Sequence, residues 1–194
     1  ASNNTAVGTS ALGANTTGAQ NTAVGTNAGD ALTEADYNVA IGYDALSADT
    51  LGSRSVAIGR SALASQNFTS ATDTQNVAVG YGAGGAITTG TSNICVGGQS
   101  GDILTSGNNN VIIGREGGSS TTNLITGNQN VLVGTYNHTD ATDTDYAIVI
   151  GYNVSGAASY TTLGNASSDS RLAHGGTTWA AVSDQRYKKD IVDS

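Results

Sequence analysis

The sequence contains no proline and no methionine, a single cysteine (Cys95), one phenylalanine (Phe68) and one tryptophan (Trp179). Each shortage excludes something. One cysteine cannot form an intrachain disulfide, and it leaves the redox compartment undetermined. No run approaches the ~18 apolar residues of a membrane-spanning helix. Basic residues are scarce as well: residues 1–182 hold four arginines against twelve acids, and both lysines, Lys188 and Lys189, stand in the last few residues. A body this acidic lacks the electrostatic footprint for nucleic acid or an anionic membrane, so neither is expected as a partner. The chain starts at Ala1 without Met or a charged leader, which reads as a fragment or a processed product.

What is abundant is glycine, at 27 residues, with Asn, Thr, Ser and Ala. These residues are arranged in a repeat: Asn4-Thr-Ala-Val-Gly8, Asn21-Thr-Ala-Val-Gly25, Asn38-Val-Ala-Ile-Gly42, Ser55-Val-Ala-Ile-Gly59, Asn76-Val-Ala-Val-Gly80, Asn93-Ile-Cys-Val-Gly97, Asn110-Val-Ile-Ile-Gly114, Asn130-Val-Leu-Val-Gly134 and Ala147-Ile-Val-Ile-Gly151. The glycines are spaced by 17 residues, except for steps of 21 and 20 where insertions enter. A weaker echo, Tyr160-Thr-Thr-Leu-Gly164, follows after 13.

A second apolar station follows each glycine by three and four residues, as in Ala45-Leu46 and Ala62-Leu63. Two short apolar stations per repeat, joined by turn formers, describe two short strands per solenoid coil. Helix loses, because Asn, Gly, Thr and Val at this density are poor helix formers and no 3.6-residue stripe persists. Without proline, the turns must use Gly and Asn, which tolerate positive φ. Nine coils at ~4.8 Å give a rod on the order of 40 Å long.

Within each first strand, alternation places Val39 and Ile41 on one face and Ala40 on the other. The reading assigns Val39 and Ile41 to the coil interior and the middle position, Ala6 through Ala78, Cys95, Ile112, Leu132 and Val149, to the outer face. A strand apolar on both faces is buried on both. No helix is expected to cover the outer face, so a second copy of the chain is the economical cover. Growth of the middle residue from Ala to Ile and Leu then implies a widening space between copies, or a handover to an interwoven section.

The Asn-x-Val-Ala-Ile-Gly motif resembles the head repeats of trimeric autotransporter adhesins, and related repeats occur in phage tail fibres. The resemblance covers about residues 1–151 and implies an all-β, parallel β-solenoid, a left-handed β-roll of period 17, assembled as a homotrimer. The tail Ser183-Asp184-Gln-Arg186-Tyr-Lys188 resembles the junction of the endosialidase-type intramolecular chaperone, which trimerises a fibre and then cuts itself off. That resemblance implies Ser183 as nucleophile and Lys188 as its base, with Asp184 and Arg186 completing the signature.

The chemistry sets its own demands. A serine hydroxyl needs a base, and lysine serves only when burial or nearby positive charge pulls its pKa down from ~10.4. Five residues of separation put the two side chains on opposite faces of a strand, so the pair needs a turn or a partner chain between them. With eleven residues after Ser183, this chain by itself is not expected to cleave.

The domain expectation is a solenoid over 1–151, a connector over 152–182 that forms an intertwined trimeric β section anchored by Trp179, and the start of a truncated chaperone over 183–194. The function expected is a structural and adhesive virion fibre or spike that attaches to a host-surface glycan or protein receptor. The alternative is the head of a bacterial surface adhesin, located on the cell exterior instead of the virion. No cofactor, no metal and no turnover enzyme activity are expected: His138 and His174 lack companions at metal-ligand spacing, and Asp140, Asp143 and Asp145 read as a solvated loop. Tyr37, Tyr43, Tyr81, Tyr136, Tyr146 and Tyr152 could stack on sugar rings or pack at coil corners. The insertions in coils 60–76 and 114–130 are places for projecting loops.

Overall fold

A computed structural model of the chain describes residues 2–119, 124–166 and 168–182. Among these residues there is no helix, and the main sheet stacks one short strand from each repeat. Thr5–Val7, Thr22–Val24, Val39–Ile41, Val56–Ile58, Val77–Val79, Ile94–Val96, Val111–Ile113, Val131–Val133, Ile148–Tyr152 and Tyr160–Asn165 pair in parallel, in that order. This is a parallel β-solenoid of about nine turns. The 13-residue echo takes a full rung, with Gly164 opposite Gly151. Beyond it the sheet turns antiparallel through Asp169–Ala173 and Ala180–Val182.

The expected second strand per coil is largely replaced by turn. Residues 43–46 and 60–65 are turn residues, and the second sheet is reduced to two isolated pairs, Gly52–Ser53 with Thr72–Asp73 and His138–Thr139 with Ser155–Gly156. The reason lies at Leu46 and Leu63, which adopt φ of 52° and 50°. A left-handed residue breaks a strand. Leucine there costs roughly 1–2 kcal/mol in backbone strain, but burying it returns ~1.5–3 kcal/mol. Positive φ is thus not confined to Gly and Asn, as the residue preferences suggested; Tyr37, Gln75 and Ser92 adopt it as well.

The facing of the strands is the reverse of the expectation. Ala23, Ala40, Ala57, Ala78, Cys95, Ile112, Leu132 and Val149 are fully buried in the core, while Ile41, Ile113 and Ile150 are more than a third exposed. The middle residue points inward and its two neighbours point out. A coil closed by tight turns at both ends of a three-residue strand has room inside for one side chain from that strand.

Growth of that inward residue is absorbed within the coil. Where the strand offers Ala40 or Ala57, the turn offers Leu46 or Leu63, all buried. Where it offers Cys95 or Ile112, the turn offers Gly101 and Gly118. A Cβ placed on Gly101 would stand 2.7 Å from Cys95 Sγ, and one on Gly117 would stand 2.9 Å from Ile112 Cγ2. The trade is not confined to these two positions: Ala23 and Ala78 also face turn glycines, Gly29 and Gly84, and there Leu32 and Ile87 fill the interior. The increase therefore does not report a widening space between copies.

Asparagine at the head of the repeat supplies the polar skeleton. Asn38 Nδ2 donates to Gly52 O at 2.9 Å, its N–H donates to Asn21 Oδ1 at 2.9 Å, and its Oδ1 accepts the Ser55 N–H at 2.8 Å. The same pattern runs through Asn93, Asn110 and Asn130, and all of these side chains are buried. Each amide closes its own coil and ties it to the next, satisfying backbone groups that the tight turn leaves unpaired. The corner glycine is fixed for a related reason: at Gly42, with φ of 133°, a Cβ would stand 2.6 Å from Gly59 O on the adjoining rung.

Where the repeat substitutes Ser55 for asparagine, Gln66, at the repeat position of Asp49, repairs the gap. Gln66 Nε2 donates to Ser55 Oγ at 3.0 Å and to Asp49, and Gln66 Oε1 accepts from Asn76 Nδ2 at 2.8 Å. The buried Asp49 carboxylate also accepts the Gly52 and Phe68 N–H groups at 3.1 and 3.0 Å. Of the insertion in this coil, Thr69 to Ala71 form an exposed tip. Residues 120–123 of the later insertion lie outside the described residues.

Candidate functional site

The outward positions of the ten parallel rungs form two adjacent columns. Seventeen of these twenty positions are Val, Ile or Leu, the exceptions being Thr5, Thr22 and Thr161. Parallel register keeps like residues in line, Val39 with Val56 and Ile41 with Ile58. The result is a continuous apolar strip ~40 Å long at the rung spacing. Isolated exposed hydrophobes need no explanation, but a contiguous strip of this extent marks an interaction surface.

Tyrosine and arginine flank the strip on both sides. On the side preceding the strands, Arg54 lies 4.9 Å from the Tyr37 ring and pairs with Asp73 at 2.8 Å. That pair and the guanidinium's hydrogen bond to it raise the Arg54 pKa. On the side following the corner glycines, Arg60 lies 6.0 Å from the Tyr43 ring and 5.5 Å from the Tyr81 ring, and Arg115 lies 5.5 Å from the Tyr136 ring. Tyr136 and Tyr152 meet edge to face at 6.0 Å. All four arginines of residues 1–182 stack on tyrosine, the fourth being Arg171 over Tyr160 at 5.4 Å. Tyr37 and Tyr146 occupy left-handed corners and remain about half exposed.

Other sequence candidates are dispersed. Asp140 and Asp143 are exposed, whereas Asp145 accepts the Asn128 backbone N–H and so belongs to a polar ladder between coils. His138 Nδ1 lies 3.2 Å from Tyr136 O, and His174 Nε2 lies 3.4 Å from the Thr161 hydroxyl. Among the described residues no group of three His, Cys, Asp or Glu side chains converges, and no helix is long and apolar enough to cross a membrane. Trp179 is about half exposed. Cys95 is fully buried, and desolvation, aided by Asp102, pushes its thiol up to about 12. Ser183, Asp184, Arg186 and Lys188 lie outside the described residues.

Two features escaped the reading of the sequence: the buried asparagine ladder and the outward facing of the large strand residues. The first had a signal, since asparagine heads seven of the nine repeats, more constancy than a solvated turn requires. Comparison with family models, with curated proteins and with solved structures gives no match.

Proposed function

We propose that this chain is a structural and adhesive fibre element, the rod of a virion tail fibre or spike, that assembles as a homotrimer and serves attachment to a host surface. The observation that carries the reading is the pair of outward columns, Val, Ile or Leu at seventeen of twenty positions. A lone rod would hold this strip in water along its whole length. Covering it with copies of the same chain removes every rung at once, because the repeat that makes the strip on one copy makes it on all. A side-by-side, parallel arrangement matches rung to rung, and a cyclic one closes without leaving a free apolar edge. The number three comes from the resemblance of the repeat to trimeric adhesin heads. An acidic outer surface then keeps neighbouring fibres apart.

The tail signature supports the fibre reading over the adhesin. In a longer precursor, Ser183 would act as nucleophile with Lys188 as base, releasing a chaperone after assembly.

The test is expression of the gene with its downstream region, as native protein, as Ser183→Ala and as Ile41→Lys/Ile58→Lys. Chain mass and sedimentation are measured for each. The expected result is a trimer cut at Ser183 for the native protein, an uncut trimer for Ser183→Ala, and loss of the trimer for the double lysine variant. A native chain that sediments as a monomer rejects assembly through the strip. A trimer without cleavage in any variant rejects the chaperone junction and favours the bacterial adhesin.

A further inference from the structure

The residues that follow the corner glycines stack in one column along the strip: Tyr43, Arg60, Tyr81, Gly98 and Arg115. Backbone bonds fix their order, with the Ser61 N–H donating to Tyr43 O, Gly82 to Arg60 O, Gln99 to Tyr81 O and Glu116 to Gly98 O. Two features single out the middle of the column. Arg60 touches one side of the half-exposed Tyr81 ring, and the rung on the other side is Gly98, where a Cβ would meet nothing within 4 Å. The column therefore has an open notch floored by glycine backbone and walled by an aromatic face.

The second feature is charge. Arg54 is paired with Asp73 and Arg115 with Glu116, but among the described residues no carboxylate lies at ion-pair distance from Arg60. Asp44, on the neighbouring column, accepts from Asn27 Nδ2 at 3.0 Å. Arg171 over Tyr160 likewise has no ion pair among the described residues, but only Arg60 stands beside an open glycine rung, in a chain of net charge −8.

We propose that Tyr81, Gly98 and Arg60 form a binding site for an acidic oligosaccharide. The inference rests on the attachment reading and gives its ligand a chemical class. A pyranose ring presents a face of C–H bonds that stacks on the electron-rich face of an aromatic ring, and the glycine floor lets it approach the backbone. The guanidinium offers a planar fork for a carboxylate. A sugar seated over Gly98 with its face on Tyr81 lies across the rod, and a carboxylate on it or on the next residue reaches past the Tyr81 edge to Arg60. The notch fits a ring better than an acidic peptide, which has no rigid face to lay on Tyr81.

The test is calorimetric titration with trigalacturonate and a hyaluronan hexasaccharide, alongside neutral galactotriose and triglutamate. The protein is compared with Arg60→Gln, Tyr81→Ala and the remote Tyr146→Ala, each checked for unchanged circular dichroism and oligomer size. The expected result is binding of at least one acidic oligosaccharide, weakened tenfold or more by Arg60→Gln and by Tyr81→Ala and unchanged by Tyr146→Ala. Absence of binding, equal binding of galactotriose or triglutamate, or indifference to both variants overturns the site.

Adhesion of the same proteins to whole bacteria separates the two readings. Cell adhesion that Arg60→Gln leaves intact rejects the site and keeps attachment. Oligosaccharide binding through Arg60 without adhesion to any cell rejects attachment and keeps the site.

Discussion

Gly101 lies against the Cys95 thiol, with 2.7 Å between Sγ and the point that a Cβ on Gly101 would occupy. The same turn position two coils earlier is Leu63, opposite Ala57, both buried. In the coil between them Ala78 faces Gly84, and Ile87 fills the space, so strand, turn and the apolar residue three positions after the turn glycine share the interior.

Gly101→Leu is therefore expected to destabilise the rod by about 2–3 kcal/mol, since it overfills a packed interior. Adding Cys95→Ala restores the small strand residue and recovers part of the loss, because touching residues couple in a double-mutant cycle. Urea denaturation of the two single variants and the double variant measures that coupling. Strictly additive effects would mean that the two residues do not share the space.

Asn93→Ala removes an amide that donates to Gly107 O at 2.8 Å and accepts the Asn110 N–H at 3.0 Å. Both backbone groups are left buried and unpaired, at roughly 1–3 kcal/mol each. Because solenoid coils are stabilised mainly by their neighbours, hydrogen exchange is expected to accelerate most in the coils around Asn93 and least near the ends of the rod. Uniform acceleration would contradict a local tie.

Cys95 is expected to resist thiol reagents at pH 8 in the folded protein and to react at once in denaturant. Burial raises its pKa from the ordinary 9.0 to about 12. A raised folded pKa means that the neutral thiol is favoured by folding. Its contribution is full below pH 9 and is lost as pH rises from 9 toward 12. Alkaline melts of the native protein should fall faster over that range than those of Cys95→Ala.

Asp102 is half buried and its carboxyl is raised, chiefly by desolvation. Folding disfavours its charged form, so wild-type stability improves as pH falls through the carboxylate range. Asp102→Asn should stabilise the protein at pH 7, with the advantage disappearing below about pH 4. Thermal melts at both values decide it, and an equal advantage at both would exclude the carboxylate as its source.

The 17-residue spacing and the turn-forming composition were enough to specify a stack of short parallel strands, because each coil's register is carried by its own glycine and strand. Strand facing was not legible. Val-Ala-Ile is apolar at every position, so alternation divides the residues into two faces without saying which one is inside. Leu46 and Leu63 read as strand residues for a similar reason, since their left-handed backbone is imposed by the closing of the coil.

By itself, the sequence determined the repeat, the all-β class, the acidic rod and the scarcity of lysine, all of which follow from composition and period. Only the tertiary structure decided that the middle strand residue points inward, that asparagine amides tie the coils together, and that among the described residues Arg60 has no carboxylate partner beside the open notch at Gly98. Those facts depend on residues well separated in sequence, 14 positions for Asn38 and Gly52 and 21 for Arg60 and Tyr81, brought together by the closure of each coil and its stacking on the next.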